Sequence, residues 1–222
     1  MKLLYLLILP LLCLNFYTIG QEIQKAEDCP TGNEQVEPVN YDYELRVVEL
    51  VNEERATQNL PPLKKSQELF YSARFHAKDM CETGYMQHPS LNSQDQVVCQ
   101  TGNRIQQFYN VNPWRENVAA GQSTPSSVNS TWIQSDGHYA NMMARDVREI
   151  GVGYYNNCAN LGPRWVENFG SNSGTFPIVI NREAFSTNSK SVDLYIYGKA
   201  DYDEMRLKNE GDGWTDWMSF QT

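Results

Sequence analysis

Two side chains able to exchange protons or bind a metal sit at either end of one short stretch of this 222-residue chain: the carboxylate of Glu116 and the imidazole of His138. Residues 115–143 read RENVAAGQSTPSSVNSTWIQSDGHYANMM. The stretch holds a Gly-Gln-Ser-Thr-Pro break, a helix-like run around Trp132 and a Ser-Asp-Gly turn. A carboxylate and an imidazole delivered from two ends of one compact unit are raw material for a polar or metal-binding site. Elsewhere the chain shows no Gly-rich phosphate loop, no CxxC pair, no nucleophile elbow and no legible Ser-His-Asp arrangement.

The elements that must hold these groups follow from periodicity. Asn40 or Asp42 is placed to cap a first helix, whose apolar stripe runs through Leu45, Val48 and Val51. Asn59-Leu60-Pro61-Pro62 ends it, because proline cannot continue the hydrogen-bond ladder. Ser66 caps a second helix with Leu69, Ala73, His76 and Met80 on one stripe, and Gly84 stops it. His76 therefore reads as core. An irregular segment, 85–98, contains His88, and a short helix follows over 104–108. Residues 116–119 read as extended. A helix is expected over 126–134, then another over 138–144 capped by Ser135 or Asp136. Trp132, Tyr139 and Asn141 read as core and scaffold; Asn117 would orient Glu116 or close a turn. Residues 150–154 and 165–169 have strand character and flank a turn with Cys158. Helices first and a strand pair after them predict an α+β domain with an antiparallel sheet. Beyond 170 the texture is β-rich: 177–181, 191–198 and 204–209 alternate like strands, with Trp214 and Trp217 beyond them.

Composition narrows the function classes. The formal charge is −9, and Lys64-Lys65 is the only adjacent basic pair, which argues against nucleic acid and anionic membranes as partners. Lys2 followed by an apolar run over 3–16 and a small-residue site at 18–20 reads as a cleaved export signal, too short to span a bilayer. No later stretch has transmembrane character. The expected location is outside the cytoplasm: secreted, periplasmic or at the cell surface. Cleavage would leave Cys29, Cys81, Cys99 and Cys158, enough for two disulfides. Three connectivities are open; pairing Cys81 with Cys99 would close the loop that carries His88 and leave Cys29–Cys158 to tie the leader to the body. Asn129-Ser130-Thr131 is a glycosylation sequon.

Five ordered motifs carry a family resemblance. LVNEERATQNLPPLKKSQELFYSARFHAKDM, HPS, ENVAAGQSTPSSVNSTWIQSDGHYANMM, EIGVGYY and WVENFG together resemble the CAP superfamily, also called SCP-like, which includes cysteine-rich secretory proteins, antigen 5 and pathogenesis-related proteins. The similarity covers about residues 43–170 and is nearest to compact bacterial members; the tail looks like the start of a β-sandwich module. The resemblance implies a CAP-type α-β-α sandwich with a central antiparallel sheet, followed by a short all-β C-terminal extension. The expected divisions are a signal at 1–20, a polar leader at 21–40, the CAP domain at 41–171 and the extension at 172–222.

The resemblance also implies a site. Family members gather two histidines and up to two glutamates in an open cleft, and some bind a divalent metal, usually zinc. His88 matches the first histidine, Glu116 the glutamate of the ENxA motif, and His138 the second histidine. Many eukaryotic members carry a second glutamate three residues after the tryptophan; here that position is Ser135. Two neutral imidazoles and a carboxylate make a ligand set for Zn2+, with water completing four-coordination. The dipole at the start of its helix would keep His138 neutral. A zinc-dependent hydrolase or protease would need Glu116 as both ligand and candidate catalytic base, and no HExxH motif supports one. The favoured expectation is a non-catalytic extracellular binding module whose cleft holds a divalent metal, a small molecule or a lipid. A surface adhesion or structural role, with an extracellular protein as partner, is the third reading. Each site residue has a plainer reading as well: His88 as a loop histidine, Glu116 as a buried carboxylate held by backbone N–H groups, and His138 as a brace for its helix.

Overall fold

The computed structural model describes residues 29–221 apart from 111, 173 and 175. The expected export signal lies outside them. Among the described residues no helix is long and apolar enough to cross a membrane.

Helix α1 (Tyr41–Thr57) starts where Asn40 Oδ1 accepts from Tyr43 N at 3.2 Å. Asp42 and Glu44 in its first turn suit the positive end of the helix dipole. Strand β1 (Lys64–Lys65) leads into α2 (Gln67–Thr83), which ends at Gly84 in the left-handed region, φ 89°. A residue with a Cβ would be strained there. Strands β2 (Ser90–Leu91) and β3 (Val97–Cys99) form a small hairpin before α3 (Thr101–Phe108). Then come β4 (Trp114–Ala120), α4 (Pro125–Ile133), α5 (Asp136–Met142), β5 (Glu149–Tyr155) and β6 (Arg164–Gly170).

The central sheet has the order β1-β5-β6-β4. Its three long strands are antiparallel, and the two-residue β1 adds a parallel pairing at one edge. Helices α2 and α3 cover one face; α1, α4 and α5 cover the other. The strand pattern Ile150-Gly151-Val152-Gly153-Tyr154 explains how close α2 lies. A Cβ on Gly151 would sit 2.1 Å from Leu69 C, and one on Gly153 would sit 2.3 Å from Ala73 C, so the α2 backbone rests directly on β5. The alternate residues, Ile150, Val152 and Tyr154, enter the opposite core with Trp132, Trp165, Phe169 and the α1 valines. The result is an α-β-α sandwich of the α+β class.

Both exposed sheet edges are capped by side chains. Past β1, the free edge of β5 is met by Glu44, whose Oε1 accepts from Tyr154 N at 3.2 Å. Glu44 is also paired with buried Arg74, at 2.6 Å. On β4, Asn141 Nδ2 donates to Glu116 O at 3.0 Å and Trp132 Nε1 donates to Val118 O at 3.4 Å. An edge that would otherwise leave backbone groups unpaired is thereby closed by α4 and α5. Asn129, in the sequon, is buried on α4, so the folded chain does not present its amide to solvent.

The disulfides correct one expectation. They join Cys29 to Cys99 and Cys81 to Cys158, not Cys81 to Cys99. Cys81, at the end of α2, faces the turn after β5 rather than the His88 loop. Cys29 ties the leader beside the start of α3.

After β6, β7 (Ile178–Ile180) pairs antiparallel with β8 (Leu194–Ile196). Between these strands Asn181, Arg182 and Glu183 all take positive φ, 47° to 62°, a costly left-handed turn for residues with side chains. Tertiary bonds hold it. Asn52 Nδ2 donates to Arg182 O at 2.9 Å, Lys64 Nζ and Lys65 Nζ reach Glu183 at 2.8 and 3.3 Å, and Tyr197 OH donates to Pro62 O at 2.9 Å. Asn52 also bonds both Leu63 N, at 2.7 Å, and Leu63 O, at 3.0 Å. Its replacement by alanine leaves the buried N–H and carbonyl of Leu63 unpaired and frees the Arg182 carbonyl, and is expected to destabilise the protein by about 2–3 kcal/mol, read as a lower urea midpoint with unchanged slope.

Candidate functional site

Strand β4 places Glu116 and Asn117 on opposite faces of the sheet. Register pairs Glu116 with Asn168 and Asn168 with Gly151, on the α2 side; Asn117 pairs with Glu167 and Glu167 with Val152, on the α1 side. The carboxylate therefore points under α2 and α3, next to the loop that carries His88.

Every polar atom of Glu116 is engaged. Oε1 lies 3.1 Å from His88 Nδ1. Oε2 accepts from Arg104 Nη2 and, with the Asn168 amide turned to suit its neighbours, from Asn168 Nδ2 at 2.9 Å. In that orientation Asn168 Oδ1 accepts from Ser72 Oγ at 2.8 Å. Burial, the largest single influence, would raise the Glu116 carboxyl; the charge and hydrogen bond of Arg104 together with His76 and His88 outweigh it and hold the group below the usual carboxylate range. Glu116 is thus ionised and internally neutralised.

Arg104, fully buried on α3, is the hub. Its Nη1 donates to His88 O at 2.8 Å and to Ser90 Oγ at 3.3 Å while Nη2 serves Glu116. One side chain therefore fixes both the carboxylate and the backbone of the loop that bears the imidazole. His76 supports the same loop from α2, its Nε2 donating to Gln87 O at 2.9 Å. Burial, then the charge of Arg104, pushes His76 down to about 3, so it is neutral. It is core, as its stripe suggested, but core directly beneath His88.

His88 is the exposed member, with its side chain about half accessible. With Nδ1–H directed at Glu116, its Nε2 is the atom that carries the lone pair. His138, on α5, is partly exposed, and its Nδ1 is buried with no partner. Burial, then the charge of a protonated His88, lowers its pKa, so it too is neutral at pH 7. Ser135 sits at the N-cap position of α5 but makes no side-chain cap bond.

The opposite face carries a second buried polar group. Asn117 does not orient Glu116. Its Nδ2 donates to His138 O at 3.1 Å and to Glu167 Oε2 at 3.0 Å, and its Oδ1 accepts from Asn141 Nδ2 at 2.9 Å. It pins α5, and so His138, to β4. Burial pushes the Glu167 carboxyl up to about 8, opposed only by the Asn117 bond. Trp132 and Asn141 serve as scaffold, and Tyr139 OH donates to Glu54 Oε1 at 2.9 Å.

As arranged, these residues do not fit a metal centre. Glu116 turns one oxygen to His88 and the other to a fixed guanidinium, and among the described residues no group of three His, Cys, Asp or Glu side chains is placed to hold an ion. The residues the sequence did not single out are Arg104 and Glu167. Arg104 is a cation on the apolar side of a short helix beside Ile105. Glu167 is an acid among the alternating apolar residues of WVENF. Both are buried ionisable groups in positions that call for a partner.

Comparison with known proteins agrees with this architecture. The chain is 35% identical over 129 residues to an uncharacterised protein, YkwD, of Bacillus subtilis, a match covering 57% of this chain and 46% of that one. A crystal structure of an extracellular SCP-domain protein from Bacillus anthracis superposes with a TM-score of 0.53 at 26% identity, over 60% of this chain and 42% of that one. An outer surface protein of Borrelia burgdorferi shares the fold at 21% identity and a TM-score of 0.50, over 57% of this chain and 90% of that one. The chain spans about half the length of the curated relative it matches. Residues 48–169 match the model of the cysteine-rich secretory protein family, more than half of the sequence, and with this fold and these motifs the chain belongs to that family.

Proposed function

We propose that this chain is an extracellular, non-catalytic binding module, with its ligand seat at the β4 edge between His88 and His138. The observation that carries this reading is the state of Glu116: both oxygens are engaged and its charge is met by Arg104. The zinc hydrolase these residues could form would need Glu116 free to take a proton from water, and a metal held by His88, Glu116 and His138 would need it free to ligate. What remains open to solvent is the pair of imidazoles of His88 and His138, suited to hydrogen-bonding a small polar group or the head of a lipid. Two disulfides, and the extracellular SCP-domain relative from Bacillus anthracis, support a location outside the cytoplasm.

Calorimetric zinc titration of the disulfide-bonded protein tests the reading. Wild type is expected to bind zinc no more tightly than His88→Ala or His138→Ala. Peptide and ester substrates are expected to show no turnover that a chelator removes. Zinc binding lost in both variants, or chelator-sensitive hydrolysis, would overturn it. Lipid extraction of the exported protein then separates a lipid ligand from a soluble one.

A further inference from the structure

The hairpin nearest the C-terminal end stacks cations and indoles alternately. Strand β9 (Glu204–Met205) pairs antiparallel with β10 (Met218–Ser219). The arms stay together beyond the paired residues, because Leu207 N donates to Thr215 Oγ1 and Thr215 N donates to Leu207 O, both at 2.9 Å. Arg206 Cζ lies 4.7 Å from the ring centre of Trp214 and 4.9 Å from that of Trp217. Lys208 Nζ lies 5.9 Å from Trp214. The rungs therefore run Lys208, Trp214, Arg206, Trp217.

The two arms reach one face by different periods. Arg206 and Lys208 are two apart, which shares a face on an extended strand. Trp214 and Trp217 are three apart, which shares a face on a chain with three residues per turn. Cation–π contacts at an exposed site order the rings without burying them. Trp214 stays 57% exposed and Trp217 62%, more than large indoles usually are. Two ordered, wet indoles in the sequence Trp-Thr-Asp-Trp also match the Trp-x-x-Trp acceptor spacing of the export-pathway enzymes that join a hexose to an indole carbon. The spacing belongs to the sequence and is present before the ladder forms; the ladder then keeps both rings ordered and exposed.

We propose that Trp214 is a C-glycosylation site, carrying one hexose on indole Cδ1, with Trp217 as the second aromatic that the transferase grips. The inference rests on the extracellular reading above. The donor is a hexose linked through phosphate to a polyprenol. The Cδ1 π pair attacks the anomeric carbon and becomes the new carbon–carbon bond, the carbon–oxygen bond to phosphate breaks, and polyprenyl phosphate leaves with the electron pair of that broken bond. Cδ1 then loses its proton to a base of the transferase and the indole regains aromaticity; nothing is oxidised or reduced. A cation over the ring draws electron density from Cδ1, so the step precedes closure of the ladder, on the newly exported chain. The added hydroxyls then hydrate a ring edge that the fold leaves in water.

The test is mass spectrometry of the full chain secreted by animal cells with and without a co-expressed indole C-glycosyltransferase. With the enzyme, the tryptic peptide 209–222 is expected to gain one hexose, placed on Trp214 by fragmentation and resistant to glycosidases, because a carbon–carbon bond does not hydrolyse. Trp214→Phe loses it and Trp217→Ala loses most of it. Arg206→Ala keeps it, because modification comes before stacking. A folded, secreted chain whose peptide stays unmodified beside the active enzyme overturns the proposal, as does a glycosidase-labile hexose on Thr215. A chain retained inside the cells overturns both this inference and the extracellular reading, and secretion is scored separately from the peptide mass.

Discussion

Replacing Arg104 with methionine is expected to lower the unfolding free energy at pH 7 by about 3–5 kcal/mol, the range for removing one partner of a buried ion pair. Methionine keeps most of the stem's packing, so the loss comes chiefly from charge. Without the guanidinium, Glu116 is a buried carboxylate with only His88 and Asn168 to meet it, and the His88 carbonyl and Ser90 lose their donor. The pH dependence separates charge from packing. In wild type the Glu116 carboxyl is held below its ordinary value, so its contribution to stability is present above the unfolded pKa and is lost as pH falls through the folded one. In the variant that contribution is gone, and protonation relieves the buried charge as pH falls. The gap between the two proteins is therefore widest at pH 7 and narrows at about pH 4. Urea unfolding at both pH values reads this directly; an equal deficit at both would mean that Arg104 acts through packing alone.

Changing Glu167 to glutamine is expected to do the reverse: little effect near pH 4 and a gain of up to about 4 kcal/mol at about pH 9. The folded carboxyl, pushed up to about 8 by burial, keeps a proton that the unfolded chain gives up near the ordinary carboxylate value. The folded state binds more protons across that window, so wild-type stability falls as pH rises through it. Glutamine cannot titrate, and its amide oxygen still accepts from Asn117 Nδ2. Unfolding curves collected from acid to alkaline pH test this; a wild-type profile as flat as that of the glutamine variant would show that folding does not raise the Glu167 carboxyl.

These two residues mark the limit of what local pattern reveals. The α2 stripe of Leu69, Ala73, His76 and Met80, the proline stop after α1, the glycine stop after α2 and the alternation over 150–154 are short-range signals, and each matches an element of the structure. The helix read as starting at Arg104 begins at Thr101. The shift matters, because it sets Arg104 inside the helix with its guanidinium turned to the sheet. Asn117 was legible only as a neighbour of Glu116; strand alternation puts it on the other face, where it serves α5.

Local pattern and ordered motifs were enough to place the chain in its family, to predict the α+β layering and to single out Glu116, His88 and His138. Periodicity, capping residues and ordered motifs all act over a few residues, so they survive in one dimension. Tertiary structure alone decided what that region is. The partners of Glu116 come from a loop, a helix and another strand, and the disulfide partners are 70 and 77 residues apart. Which charges meet under α2 depends on sheet register and on how closely α2 can approach Gly151 and Gly153. The stretch from Glu116 to His138 supplies a carboxylate and an imidazole, but the fold gives the carboxylate to Arg104 and fixes the imidazole through its backbone, by way of Asn117.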